Sequence, residues 1–324
     1  MTVTSPSVQD LAAQHKLAQI GDPIRSWLPE AQLYQALLNE LSEDVERVTN
    51  DEMAAEFASY CPVSGTQDPT DYKNRWGMQA GQQVLSGIRF KALDLNQPFV
   101  TVVSTERLPN SLTELTQLSD ALRVSWAMFS PKYTRFFIPS YSPLFNQPLS
   151  PDFEWEKLFL AAPIQALRER PLNPDVPVEL AIPADLSLYR TYVQEYAALL
   201  ASNPEHQEYA QPESEEDLLY YLEEGTLYEV RINGQLAGVV AVTPSQEQGL
   251  QGFLVIEMFL YAAYRGQGYA QTVQRLLVDR LAAQDTDVLY GTIHARNTPA
   301  VQAAKRSGRQ VVGGYLWLNH QSAE

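Results

Sequence analysis

Cysteine is nearly missing from this chain: its 324 residues include only Cys61. No disulfide framework and no multi-cysteine metal site can form within one chain, which fits a reducing compartment and points to the cytoplasm. A catalytic thiol would need an activating base beside it. The four histidines, His15, His206, His294 and His320, are scattered without ligand spacing, so Cys61 reads as structural and no metal site is expected. Positive charge is also short. Lys and Arg number 23 against 39 Asp and Glu, a formal net charge of -16. Nucleic-acid and anionic-membrane binding both need a basic footprint, so neither is the expected role. No run approaches the ~18 apolar residues of a membrane span, and no basic start leads into an apolar core, so neither a span nor a signal peptide is expected.

What the chain does hold is one stretch that organises the rest. Phe253 to Tyr261 is an apolar run, broken only by Glu257. A turn with two glycines follows, Arg265-Gly266-Gln267-Gly268-Tyr269-Ala270, and then a helical pattern through Val273, Leu276, Leu277 and Leu281. Strand, glycine turn and helix make an anion site, because the first free N–H groups of a helix point at the ligand and glycine lets the backbone come close. The dinucleotide fingerprint fails at its third position, Gln271, and the Gly-Lys-Ser/Thr ending of a P-loop is absent.

At this length two domains are expected. In the first half, Leu28 to Phe57 reads as one helix, Tyr72 to Gly81 as a short helix, and Ile88–Leu93 and Phe99–Ser104 as strands. Leu112 to Phe129 is a helix with Ser111 and Glu114 as a capping box, and Tyr133–Ile138 is a third strand. Strand, helix, strand makes an α/β layer, but no glycine turn lies between Ser104 and Leu112. The tryptophans Trp76, Trp126 and Trp155 read as packing residues. Residues 141–177, rich in proline, read as a linker carrying a helix from Phe153 to Arg170 interrupted at Pro163. The expected domains are 1–140 and 178–324.

The second half has a strand at Val178–Ile182 and helices at Leu186–Leu200 and Glu215–Glu223. Two strands meet at Asn233-Gly234, a hairpin signal because a type I′ turn needs positive φ at both positions. After the glycine turn come a strand at Val288–Ile293, a helix capped by Asn297 or Thr298 and stopped by Gly308, and a strand at Gln310–Leu318. The order is β-α-α-β-β-β-α-β-α-β.

Arg265, Gly268 and Ala270 stand at the spacings of Arg/Gln-x-x-Gly-x-Gly/Ala. Asn297, Ala300 and Gly308 fit a second recurrent segment. On these residues and this element order, about 178 to 320 resembles the GNAT superfamily of acyl-CoA-dependent N-acyltransferases. The fold class implied is α/β, a mixed and mostly antiparallel sheet flanked by helices. The strand-helix-strand of the first half is compatible with a degenerate copy of that fold.

The resemblance implies acetyl-CoA, or another acyl-CoA, as co-substrate. Its pyrophosphate would lie on the N–H groups from about Gln267 to Ala270, in the cofactor-binding stretch Arg265, Gly266, Gln267, Gly268, Tyr269 and Ala270. Its pantetheine would run along Phe259, Leu260 and Tyr261 in the gap where two strands splay, and Asn297 would contact the pantetheine or the diphosphate side. A small-molecule or peptide amine, which the acidic stretch Glu205 to Glu224 would suit if cationic, would attack the thioester directly. The plainer reading of that stretch is a solvated face.

Glu257 is the expected base. The competing readings are an exposed strand glutamate or one tied to an arginine. Where family members carry a tyrosine as acid, this chain has Ala304, so either another residue serves, with Tyr315 and Tyr261 as candidates, or the thiolate leaves without a specific acid. Arg309 stands where the family usually has an aromatic. Two alternatives are a CoA-binding sensor without useful turnover, favoured by Ala304, and aminoacyl transfer from tRNA, opposed by the acidic charge. A homodimer is left open.

Overall fold

The computed structural model describes residues 6–65, 68–172 and 177–320. Residues 173–176 of the expected linker, and two residues of the loop before Tyr72, lie outside these. The chain forms two compact units, one made of Met1–Lys157, Glu247–Gly249 and Val312–Glu324, the other of Leu158–Gln246 and Leu250–Val311.

The first unit opens with four helices, α1 (Val8–Ala18), α2 (Ile24–Trp27), α3 (Glu30–Thr49) and α4 (Asp51–Tyr60). The single helix expected over Leu28–Phe57 is broken at Asn50, whose side chain accepts the N–H groups of Glu52 and Met53 and so starts a new helix. Strands β1 (Arg75–Gln79), β2 (Gln82–Phe90) and β3 (Pro98–Thr105) follow, then α5 (Leu112–Ser125), β4 (Tyr133–Pro139) and β5 (Phe153–Pro163).

Two expectations fail here. Tyr72–Gly81 is not a helix. Ala80 and Gly81, at φ 47° and 78°, make the two-residue turn that pairs Gln79 with Gln82, and an alanine at positive φ leaves no turn signal. Phe153–Pro163 is a strand, with only Ile164–Arg168 helical after it. Phe159 to Ala162 are all buried, as in a strand covered on both faces. The expected linker is therefore built into the fold.

Ser111 caps α5 by accepting the Glu114 N–H. The Glu114 carboxylate takes the Asn110 N–H in return, one residue ahead of the box position. The α5 face Leu115, Leu118, Leu122 and the following Trp126 is fully buried against Ile88, Val100, Phe136 and Ile138. Burying each such side chain contributes ~1.5–3 kcal/mol. Trp126 donates to Ser86 Oγ, and Cys61 is buried and free. Both are structural, as read from the sequence.

The second unit continues with α6 (Ile164–Arg168), β6 (Val178–Ala181), α7 (Tyr189–Ser202), α8 (Glu215–Glu223), β7 (Leu227–Ile232), β8 (Gln235–Glu247) and β9 (Leu250–Leu260). After these come α9 (Tyr269–Arg280), β10 (Val288–His294), α10 (Thr298–Ser307) and the start of β11 (Gln310–Asn319), which belongs to the first unit from Val312 onward. This is the expected order. Its sheet runs β5-β10-β9-β8-β7-β6. Strands β6, β7 and β8 pair antiparallel, with Asn233 and Gly234 at φ 52° and 76° in the hairpin. Strands β9 and β10 are parallel, with α9 as the crossover.

In the first unit the order is β1-β2-β3-β4-β11. Gly313–Asn319 of β11 pairs antiparallel with β4. The two units repeat one pattern, since β1-β2-β3-α5-β4 and β7-β8-β9-α9-β10 each end in a parallel pair joined through a helix. Each parallel pair holds for only three residues, Phe99–Thr101 with Tyr133–Arg135 and Gly252–Leu254 with Val288–Tyr290. The mixed, mostly antiparallel α/β class is as expected. Among the described residues, no helix is long and apolar enough to cross a membrane, and no cluster of metal-ligating side chains occurs.

Candidate active site

Past Leu254 and Tyr290, β9 and β10 are no longer paired, and the second unit holds a cleft of about 450 Å³ there. Its walls come from Val255 to Leu260 on β9, Gly291 to His294 on β10, and the starts of α9 and α10.

The faces of β9 explain how a carboxylate comes to line it. Phe253, Val255, Met258 and Leu260 pack with Val273 and Leu277 of α9. Ile256, Phe259 and Tyr261 pack with Tyr192 and Tyr196 of α7 and Leu218 of α8. A regular strand alternates every residue. Here the alternation slips once, so that Ile256 and Glu257 both face α7, as at a bulge. The neighbouring strand β8 makes room with Gly238, where a Cβ would lie 2.2 Å from the Phe259 carbonyl oxygen.

Glu257 is 7% exposed. Tyr192 Oη donates to its Oε2 at 2.6 Å and Tyr196 Oη to the same atom at 3.0 Å, while the Met258 N–H donates to Oε1 at 2.8 Å. Tyr192 Oη in turn accepts the Glu213 N–H at 2.8 Å. Burial pushes the carboxyl up to about 7, against the pull of the two tyrosines and the amide. Burial and the adjacent carboxylate push both phenols above their ordinary range. Glu257 is thus neither an exposed strand residue nor tied to an arginine. It is a buried carboxylate poised near neutral pH, on the wall of a cleft.

At the wide end of the cleft, Gly266 and Gly268 have φ 74° and 83°, the left-handed region that favours glycine. Gly268 is the N-cap of α9 and brings no side-chain cap. The first-turn N–H groups are left as an anion site. Arg265 folds back on the strand. Its Nε donates to the Leu260 carbonyl at 2.5 Å, its guanidinium lies 4.6 Å from the Phe259 ring centroid, and its buried Nη2 has no partner. Asn297 caps α10 by accepting the Ala300 N–H at 3.3 Å.

Residues 187–310 match the sequence model of the acetyltransferase (GNAT) domain. This stretch is a GNAT domain. No curated protein matches the chain. Among solved structures, a GNAT-family acetyltransferase from Colwellia psychrerythraea is 12% identical, with 84% of this chain and 96% of that one covered and a TM-score of 0.48. A GCN5-related N-acetyltransferase from Sphaerobacter thermophilus is also 12% identical, with coverages of 97% and 93% and a TM-score of 0.46. Naa50 of Arabidopsis thaliana, in complex with the bisubstrate analogue CoA-Ac-MVNAL, is 14% identical over 45% of this chain and 100% of that one, at a TM-score of 0.34.

Within the GNAT domain, Glu257, Phe259, Leu260, Arg265, Gly266, Ala270 and Asn297 line the cleft. Gln267, Gly268 and Tyr269 make the turn and the first helical residue without lining it. Tyr261 packs into the α7 side of the core, where burial pushes its phenol up to about 12.

Tyr315 belongs to the first unit, where its hydroxyl donates to Glu247 and accepts from Gln248 Nε2 at 3.2 Å. Strand β11 passes out of the second unit after Val311 to pair with β4, which no local pattern reveals. Ala304 is fully buried against Leu160 and Val301. Three of the acidic residues of the stretch, Glu215, Glu216 and Asp217, form the exposed first turn of α8 behind the Ser214 cap. There they complement the helix dipole.

Four site residues escaped the sequence reading. Tyr192 and Tyr196 stand four apart on α7, a spacing that also fits plain core packing. Tyr209 stacks on His294, ring centroids 4.3 Å apart, and both line the cleft.

Proposed function

We propose that the GNAT domain transfers an acyl group from acyl-CoA to an amine by direct attack, with Glu257 as the general base. The observation that carries this reading is the Glu257 carboxyl itself, held by two tyrosines on the wall of the cleft and raised to about 7. A base works best when its pKa lies near the working pH.

The residues fit the co-substrate. The uncapped start of α9 and the unpartnered Arg265 Nη2 would hold the pyrophosphate, and Phe259, Leu260 and Asn297 would line the path of the pantetheine. The amine nitrogen forms a bond to the thioester carbonyl carbon. Glu257 takes the proton that the amine sheds, directly or through one water. The C–S bond then breaks, with its electron pair leaving on sulfur. Ala304 is apolar and buried, so the thiolate leaves without an acid from that position. The acceptor is an amine of a small molecule or peptide that comes up on the α7 side of the sheet, which Glu257 faces. The acidic balance of the chain speaks against a nucleic-acid substrate, and one buried cysteine suits a cytoplasmic enzyme.

Glu257→Gln is the test. Titration with acetyl-CoA should show retained binding, and release of CoA thiol with a panel of amines should fall ~10²–10⁴-fold. A variant that turns over like the wild type would remove Glu257 from the mechanism. A wild type that binds acetyl-CoA and acylates no amine would favour a sensor.

A further inference from the structure

Arg309 lies directly after the C-cap of α10 and lines the same cleft. It is 4% exposed. Its Nε has no hydrogen-bond partner, and among the described residues no carboxylate comes within ion-pair distance of its guanidinium. Burial alone acts on it, pulling it down to about 10 with no acidic group opposing. A buried and unpaired cation is strongly unfavourable. In a chain with 39 acidic residues, one could have been placed beside it, and among the described residues none is.

Its position narrows what it is for. The Cβ that Gly291 lacks would lie 3.0 Å from Arg309 Nη1 and 3.5 Å from the Val255 carbonyl oxygen. Gly291 and Val255 are the first residues past the last paired ones, Tyr290 and Leu254. Arg309 therefore sits at the closed end of the splay, and Gly291 gives it room. The phosphate-binding turn, Gly266 to Ala270, is at the other end. A thioester held from that turn would direct its acyl group inward, past Met258, Ile256 and Val255, which line the cleft, toward Arg309.

We propose that Arg309 makes the cleft selective for an acyl-CoA whose acyl group ends in a carboxylate, a dicarboxylic half-thioester of the succinyl kind, over acetyl-CoA. This rests on the acyl-transfer reading above. The carboxylate pairs with the guanidinium and takes no part in the transfer, in which only the C–N bond forms and the C–S bond breaks.

Calorimetric titration of the full chain with CoA, acetyl-CoA and succinyl-CoA tests it. The wild type should bind succinyl-CoA at least about tenfold tighter than acetyl-CoA, as a charge-assisted pair requires. Arg309→Met should bring that ratio to about one, and Arg309→Lys should restore part of it. Equal affinity of the wild type for the two thioesters overturns the proposal, and needs no variant to read. If affinities are equal and, with acetyl-CoA, carboxylated amines show a lower KM that depends on Arg309, the carboxylate belongs to the acceptor and the acyl assignment is overturned. If no CoA compound binds, the acyl-transfer reading falls and takes this one with it. The unliganded Arg309→Met protein should melt no lower than the wild type, since it removes an unpaired buried charge. A large drop would assign the guanidinium a structural role instead.

Discussion

Glu257 answers to three donors and to its own burial, and the balance can be tipped one residue at a time. The Tyr192 hydroxyl stabilises the ionised carboxylate, so Tyr192→Phe should raise the Glu257 pKa further above about 7. In kcat/KM against pH, the wild type should rise as pH passes through about 7, and Tyr192→Phe should move that limb to higher pH. An unmoved limb would mean that another group sets it. Stability has the opposite slope. The folded carboxyl holds its proton more tightly than the unfolded one, so its contribution is fullest below the unfolded value of 4.5 and is lost as pH rises through about 7. Glu257→Gln should flatten that decline in melting temperature. At this scale the sequence is informative wherever a residue breaks its own local pattern. Glu257 is such a residue, a charge inside an apolar run, and so is Arg309, a cation in an aromatic's place. Tyr192 and Tyr196 break no pattern on a helix that needs apolar positions anyway, and only the fold brings them to the carboxylate.

The elements that were legible carry local chemistry for their ends. Asn233-Gly234 fixes a hairpin, Asn297 and Gly308 bound α10, and Gly266 and Gly268 mark the turn before α9. Gly268 has open space around it, so Gly268→Ala would meet no clash but would force an alanine to φ 83°. The expected cost is about 1 kcal/mol of stability. Acetyl-CoA affinity should fall with it, because the N–H groups that follow would be tilted from the anion. Thermal melting and titration on the one variant would check both, and unchanged values would take the turn out of the binding site. The elements that differ from the sequence expectation lack such ends. Strand β1 turns on Ala80-Gly81, where alanine takes a conformation that its side chain disfavours. The Leu and Ala run of β5 suits a buried helix as well as a strand covered on both faces, and length alone did not separate them.

At the scale of the whole molecule, the units are not two contiguous stretches of chain, because each includes a segment from the other's part of the sequence. The second unit takes its strand beside β10 from Leu158–Pro163, and the first takes the partner of β4 from Val312 onward. A fragment of residues 178–324 would leave one side of β10 unpaired and would carry a strand with no β4 to receive it. Exposed edges of this kind invite association. That fragment should elute as aggregates on size exclusion, whereas the full chain should melt in a single calorimetric transition. A soluble monomeric fragment, or two resolved transitions, would show that the exchange is dispensable.

Gly313 stands opposite Pro139, so that pairing closes a separation of ~170 residues, and contacts this distant in sequence are the slow ones to form. During synthesis, which adds ~5–20 residues each second, β4 therefore waits many seconds with one edge bare while the GNAT domain is still being made. Until then a chaperone or a neighbouring chain can take the place of β11. The vulnerable period of this protein is thus set by the distance along its chain from β4 to β11, whatever stability the finished fold attains.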